Sequence, residues 1–197
     1  MKRCMHYLLA FCFFAFVVIN PLFSQAYFEN NDYQKVLLIY RLENDTAYPL
    51  NITADKLLRS ILAEAGIFKA EIASTKRTFY DQAAIMKLEL SQENLVAWYG
   101  QDVADAVNRL DIRSLEQWLR LYKPKISRHI AGYAIDVIVV NNELLLNDPE
   151  NIRLRDAYDT AIRKLLKFKE NGIHFYLREN NGCEHTEFTF PVTSTVD

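Results

Sequence analysis

Histidine is scarce in this sequence, and one histidine stands in a pattern that could bind a metal ion. The chain has four histidines, and without His6 near the N-terminus only His129, His174 and His185 remain. His129 stands in a loop, seven residues before Asp136 on an apolar run. A catalytic zinc site takes three ligands from His, Asp, Glu or Cys and leaves a fourth position for water. Spacing alone also fits an ordinary loop entering a core strand, and a third ligand must come from a neighbouring strand.

The elements that would position these residues predict one α+β domain. We expect a small antiparallel sheet that carries the site and packs against helices. Apolar and alternating runs predict strands over 35–40, 68–73, 133–140, 173–177 and 185–192. Helical spacing predicts helices over 53–66, 79–90, 95–108, 114–122 and about 150–169. Ser114 and Gln117 read as a capping box, and Asn180-Asn181-Gly182 reads as a hairpin turn.

The N-terminal segment is typical of a secretory signal peptide. Lys2 and Arg3 precede an unbroken apolar run of 13 residues from Tyr7 to Ile19. Ser24-Gln25-Ala26 then places small residues where signal peptidase reads the chain. The run is shorter than the roughly 20 residues of a membrane-spanning helix. We therefore expect residues 1–26 to be removed and the protein to be exported to the periplasm or cell envelope.

The composition of the expected mature chain limits the classes of partner that it can bind. Removing 26 of the 197 residues leaves 171, enough for one domain. Without Lys2 and Arg3, 21 of the 23 basic residues remain against 25 acidic ones, a net charge of −4. This balance indicates neither a nucleic acid nor a membrane surface as partner. Only Cys183 survives cleavage, so no disulfide can form within the chain.

Three sequence signatures resemble those of the zinc D-alanyl-D-alanine carboxypeptidases and related peptidoglycan endopeptidases. The stretch Ser127-x-His129-x-x-Gly132-x-Ala134-x-Asp136 matches every fixed position of their SxHxxGxAxD motif. Upstream, Ser74-Thr75-Lys76-Arg77-Thr78 and the following Gln82 resemble a second signature on the loop after a strand. Downstream, Gly182-Cys183-Glu184-His185-Thr186-Glu187 lies where the family places its last ligand. The resemblance covers roughly residues 53–190.

The resemblance implies a zinc site with three protein ligands. His129 and Asp136 match the first two ligands, and His185 matches the third. His174 is the rival for the third place, although a half-buried strand residue is the ordinary interpretation of that histidine. Cys183 could close the site as a fourth ligand, but a small buried hydrophobic residue is the more usual role of a lone cysteine.

The resemblance also implies that Arg77, Ser74 and Gln82 act on the substrate. A developing oxyanion or a terminal carboxylate needs a fixed planar cation, and arginine offers a bidentate fork. We therefore expect Arg77 to be catalytic and to bind substrate. Ser74 would orient Arg77 or bind substrate, with an ordinary turn role as the alternative, and Gln82 would bind substrate.

The identity of the general base is open. The best-known members of the family place an acid three residues before the last histidine, where this chain has Gly182. Two acids remain nearby, Glu184 and Glu187. Side chains alternate along a strand, so Glu187 shares a face with His185 and Glu184 points the other way. Parity therefore favours Glu187, and a solvated strand glutamate is the alternative interpretation.

The signatures and the export signal together predict an exported zinc metallopeptidase. Its expected substrates are peptidoglycan stem peptides or cross-links, cut as a carboxypeptidase or as an endopeptidase. The Gly-Cys-x-His-x-Glu ending is also similar to peptidase domains associated with type VI secretion, which open the wall for an envelope-spanning machine. Two alternatives are a catalytically silent peptidoglycan-binding module of the same fold and an adaptor or immunity-type protein that binds another protein.

Overall fold

The computed structural model describes residues 31–41, 48–167 and 171–193, and these form the expected single α+β domain. The strands are β1 Leu37–Tyr40, β2 Lys69–Ser74, β3 Ala134–Ile138, β4 Ile173–Arg178 and β5 Cys183–Phe188. The α-helices are α1 Ile52–Glu64, α2 Phe79–Leu88, α3 Gln92–Tyr99, α4 Gln101–Arg109, α5 Ile112–Tyr122 and α6 Pro149–Leu166. A short 3-10 helix, Asn31–Lys35, precedes β1. The predicted signal peptide lies outside the described residues.

The five strands form one sheet of order β1-β2-β3-β5-β4. The expected antiparallel pairing holds from β2 to β4, but β1 and β2 are parallel. The difference arises because α1 joins these two strands, and a helical crossover returns the chain to the same end of the sheet. A search of the described helices for a membrane-spanning candidate finds none.

The structure corrects the sequence-based predictions at three helix boundaries. The helix predicted over 95–108 is two helices, α3 and α4, because Gly100 adopts a φ of 92° between them. The capping box predicted at Ser114 is wrong, because Asp111 caps α5 and accepts a hydrogen bond from Ser114 N at 2.8 Å. Asn51 caps α1, which therefore begins at Ile52 rather than at the predicted residue 53. Side-chain capping fixes where a helix begins, and several nearby polar residues can serve as the cap.

One face of the sheet, which we call the core face, packs against α1 and α6. Ile72, Ile135, Val137 and Phe188 lie on this face and are fully buried. The helices cover them with Leu58 and Ile61 of α1 and Tyr158 and Ile162 of α6, among others. A second apolar cluster holds α2 to α5 together. The opposite face of the sheet, the site face, carries the residues between these core positions, which are polar side chains together with partly exposed apolar ones such as Ile39, Phe175 and Leu177.

Two irregularities in pairing decide which side chains reach the site face. In β2, Ile72 pairs with Val137 but Ser74 pairs with Asp136, so Ala73 is an extra residue and Ser74 turns to the site face. In β4, the pairing shifts in the same way between Ile173 and Phe175. An extra residue of this kind locally reverses the strand's alternation and re-aims the next side chain.

Candidate metal centre

The sheet register brings two predicted ligands and a predicted substrate residue into one row. Asp136 of β3 lies between Ser74 of β2 and His185 of β5 as the paired residue of both. Ile135 and Val137 face the core, so Asp136 between them points to the site face. The opposed residues of an antiparallel pair stand about 5 Å apart, which brings their side chains within contact.

The SxHxxGxAxD motif folds as a tight loop that returns His129 over this row. Ser127 Oγ accepts a hydrogen bond from His129 N at 3.2 Å. The carbonyl of His129 accepts from Gly132 N at 3.0 Å and from Arg77 N at 3.2 Å, which ties the loop to the segment after β2. Gly132 has a φ of 71°, a conformation that favours glycine. Ala134, the first residue of β3, is fully buried, and its small side chain allows close packing where the loop joins the strand.

Three donor atoms converge above the site face. His185 Nδ1 lies 2.8 Å from Asp136 Oδ1, and His129 Nε2 lies 3.1 Å from the same oxygen. The two imidazole nitrogens are 3.3 Å apart. Metal–ligand bonds of about 2.0–2.1 Å in a tetrahedron place their donor atoms roughly 3.3 Å apart. Two imidazoles and a carboxylate at these separations could hold a metal ion, and of the two rival histidines it is His185 that takes part.

Each of the three ligand candidates has a second polar partner on its outward atom. His129 Nδ1 faces Ser74 Oγ at 3.5 Å, and His185 Nε2 faces Glu187 Oε1 at 3.5 Å. The other oxygen of Asp136, Oδ2, accepts a hydrogen bond from the Arg77 guanidinium. Such outer partners fix the tautomer and orientation of metal ligands in proteins. The arrangement therefore matches a metal site in both its inner and its outer atoms.

Burial and neighbouring charges shift the pKa values of the three cluster residues in different directions. Burial lowers the pKa of His129, which leaves its ring neutral and able to donate a lone pair. Burial raises the pKa of Asp136, but His129, His185 and Arg77 outweigh it and hold this pKa well below its ordinary range. Burial lowers the pKa of His185, yet hydrogen bonds to Asp136 and Glu187 prevail and raise it to about 9. Metal binding must displace that proton.

Of the predicted substrate residues, Arg77 and Ser74 contact the cluster, whereas Gln82 contacts Tyr99 instead. Arg77 Nε donates to Ser74 Oγ at 3.2 Å, so Ser74 bridges Arg77 and His129. Ser74 is buried, a position that suits orienting these two side chains rather than touching a substrate. Gln82 is fully buried; its amide donates to Tyr99 Oη at 3.4 Å, and its Oε1 has no hydrogen-bond partner within the described ranges.

The other candidates from the sequence fall into distinct places. His174 is exposed on β4 as the extra residue of the pairing shift and is not one of the converging donors. Cys183 shares the site face but is not one of those donors, and burial raises the pKa of its thiol to about 12. Glu184 points to the core face, as parity predicts, and is fully buried. Glu187 lies beside His185 Nε2 and 3.5 Å from Arg128 Nε.

One acid that the sequence reasoning did not weigh, Glu179, also belongs to this site. It follows β4, and its backbone N–H donates to the Cys183 carbonyl at 3.0 Å. Leu177 pairs with His185, so Glu179 two residues later faces the same side. Burial and the nearby Asp136 raise the pKa of its carboxyl, on which the charges of His185 and Arg77 also act. The predicted turn at 180–182 could have identified Glu179, because a hairpin that closes there pairs Glu179 with Cys183 and so places it on the face of His185.

A cavity of about 410 Å³ adjoins the loop that carries His129. Its lining consists of Trp98, Tyr99 and residues 122–126, and the last of these leads directly into Ser127. Trp98 is 53% and Tyr122 67% exposed, so large aromatic faces meet solvent there. Burial raises the pKa of Tyr99, and Arg77, Glu179 and Asp136 also act on its hydroxyl. The cavity is an open depression with a mixed aromatic and polar lining.

No protein-family model, curated protein or solved structure matches this chain. The resemblance to zinc peptidases thus rests on the sequence signatures alone.

Proposed function

We propose that this protein is a zinc-dependent peptidase that hydrolyses peptide bonds in peptidoglycan. The observation that carries the proposal is the convergence of His129 Nε2, Asp136 Oδ1 and His185 Nδ1, each with an outer polar partner. Two imidazoles and one carboxylate are a common donor set of catalytic zinc, which keeps a fourth position open. Other divalent ions accept the same donors, so zinc itself is part of the proposal.

The donor set fits the chemistry that peptide hydrolysis requires. A zinc ion bound there supplies Lewis-acid polarisation of the scissile carbonyl and makes a water molecule more acidic. His129 is neutral and Asp136 ionised in the metal-free chain, as ligands must be. Ser74, Glu187 and Arg77 hold the three ligands in orientation from the outside.

We assign the proton transfer to Glu179. Its Oε2 accepts from Asn181 Nδ2 at 3.0 Å, while its Oε1 has no hydrogen-bond partner among the described residues. A raised pKa moves a carboxyl towards the working pH, where a general base is most effective. Glu187, the base predicted by strand parity, touches His185 on the nitrogen that faces away from Asp136. That position favours an orienting role for Glu187, and experiment can separate the two acids.

Arg77 and the adjoining cavity supply the substrate contacts in this proposal. The Arg77 guanidinium is held by Asp136 and Ser74 and uses only part of its donor capacity. Its remaining N–H groups are available to a substrate carboxylate or to an oxyanion. The aromatic cavity next to the loop gives a peptide a surface on which its apolar parts can pack.

The peptidoglycan substrate and the compartment come from the sequence. The SxHxxGxAxD motif resembles that of enzymes acting on stem peptides, and the N-terminal pattern predicts export to the same compartment. Carboxypeptidase and endopeptidase activity are both compatible with the donor set. Opening the wall for a secretion machine is a narrower proposal that rests on the similarity of the last signature alone.

Incubation of the purified protein with isolated peptidoglycan sacculi tests the proposal. We expect zinc-dependent release of soluble muropeptides or free D-alanine, and the products identify the bond that is cut. His129→Ala should abolish release, and His174→Ala serves as the matched control because it removes a histidine outside the cluster. Bound zinc without any release from the wild-type protein would contradict the peptidase and favour a silent binding module.

A further inference from the structure

Three buried polar side chains stand behind the site, on the core face of the hairpin formed by β4 and β5. Arg155 of α6 and Glu184 of β5 form an ion pair, with 2.5 Å between Arg155 Nε and Glu184 Oε1. Tyr176 of β4 donates to the other carboxylate oxygen, Glu184 Oε2, at 2.5 Å. Glu184 is fully buried, so these two partners replace the water that its charge would otherwise require.

Arg155 also binds the backbone where the hairpin turns. Its Nη2 donates to the carbonyl of Glu179 at 2.5 Å and lies 3.4 Å from the carbonyl of Cys183. The same two residues make the last hydrogen bond of the ladder, from Glu179 N to Cys183 O at 3.0 Å. Arg155 therefore ties α6 to the segment that separates Glu179 from His185.

This network is not needed merely to fill the core. Burying an ion pair costs desolvation that the Coulomb attraction often only offsets, and apolar replacements of similar volume are commonly neutral or stabilising. A planar guanidinium, however, fixes the direction of each hydrogen bond that it donates. Arg155 directs its donors at one carboxylate and two carbonyls of a single hairpin. Its specific effect is thus on the geometry of that hairpin.

We propose that Arg155, with Glu184 and Tyr176, is a positioning device for the reaction. From the opposite face of the sheet, it holds the Glu179 carboxylate and the His185 ring in their relative orientation. The inference rests on the proposed function, because it takes Glu179 and His185 as members of one site. Arg155 itself touches neither the substrate nor the donor atoms of the cluster.

The double variant Arg155→Met with Glu184→Leu tests this role, because it removes both charges and leaves no unpaired buried ion. We expect a folded protein whose melting temperature falls modestly, because the buried Tyr176 hydroxyl loses its acceptor. Its kcat should fall about tenfold at saturating zinc, the lower end of the effect of losing a direct partner of a metal ligand, because the network acts on the site only through the hairpin. KM should not change, and the backbone amides of residues 179–183 should exchange hydrogen faster. Wild-type kcat and KM would overturn the proposal.

Two further variants keep the test decisive. Tyr176→Phe retains the ion pair and removes one hydrogen bond, so we expect a several-fold fall in kcat; if the double variant does not fold, wild-type kcat in Tyr176→Phe overturns the proposal. Asp156→Asn is the matched control, since Asp156 also joins α6 to β4 through Arg178 at 2.5 Å but outside the network. It should leave kcat and amide exchange unchanged.

The failure of this inference can be distinguished from the failure of the proposed function. If the wild-type protein releases no product from sacculi, the peptidase proposal fails. Amide exchange at residues 179–183 and zinc affinity then still report on the hairpin. Unchanged exchange and unchanged zinc affinity in both network variants would show that Arg155 does not position it.

Discussion

Replacing Glu179 or Glu187 by glutamine should impair different properties of the protein: turnover for Glu179 and zinc affinity for Glu187. Glu179 contacts Asn181 through one oxygen and has no hydrogen bond to the cluster, so Glu179→Gln should leave zinc affinity unchanged. Loss of a general base typically lowers turnover by about 10²- to 10⁴-fold. That range corresponds to roughly 2.7–5.5 kcal/mol of activation free energy. Because burial disfavours the Glu179 charge, the glutamine variant should not be less stable than the wild type.

Glu187→Gln should instead weaken metal binding and spare turnover. Its Oε1 lies 3.5 Å from His185 Nε2, at the long limit of a hydrogen bond. Outer partners of metal ligands are worth about 10- to 100-fold in affinity, and this long contact places Glu187 near the lower value. A tenfold loss equals about 1.4 kcal/mol. Saturating zinc should therefore restore most of the turnover of Glu187→Gln.

Muropeptide release measured across a zinc titration separates the two acids. We expect Glu179→Gln to stay inactive at every zinc concentration and Glu187→Gln to recover as zinc increases. The reverse pattern, with Glu187→Gln inactive at saturating zinc and Glu179→Gln active, would refute the assignment and support the base predicted from strand parity.

Three further expectations follow from the same contacts. Ser74→Ala removes the partner of His129 Nδ1 and should lower zinc affinity about tenfold, as measured by calorimetry; unchanged affinity would contradict the outer-shell role. In the metal-free protein, the Glu179 carboxyl should titrate above the ordinary glutamate pKa of 4.5, because burial and the nearby Asp136 disfavour its charge; an NMR titration of this carboxyl with a midpoint at or below 4.5 would contradict this. Ile135→Ala empties a fully buried position on the core face and should cost about 2–5 kcal/mol of unfolding free energy by denaturant titration; a loss below 1 kcal/mol would mean that the core closes around the gap.

Much of the site follows from simple strand geometry. The position of Asp136 between Ile135 and Val137 predicts that it leaves the apolar face, and parity along β5 separates His185 and Glu187 from Glu184. The structure agrees in each case, because alternation holds along β3 and β5 without interruption. The α+β fold was predictable for the same reason: strands and helices differ in the period of their apolar residues.

Features that depend on pairing between distant segments were not predictable in this way. The extra residue in β2 turns Ser74 to the site face, and parity within β2 alone would have placed Ser74 with Ile72 on the core face. The role of Glu184 depends on Arg155, 29 residues away in the chain. The position of Glu179 is intermediate in predictability, because a correct prediction of the hairpin turn is enough to locate it. The predictions of helix caps were wrong because several polar residues near the start of each helix compete for the same backbone N–H groups.

Zinc titration of the purified protein by calorimetry tests the central claim most directly. The account predicts one zinc per chain in the wild type and in His174→Ala, and no binding of comparable affinity in His185→Ala. Equal zinc affinity in His174→Ala and His185→Ala, or a wild-type protein that binds no divalent metal at all, would contradict it.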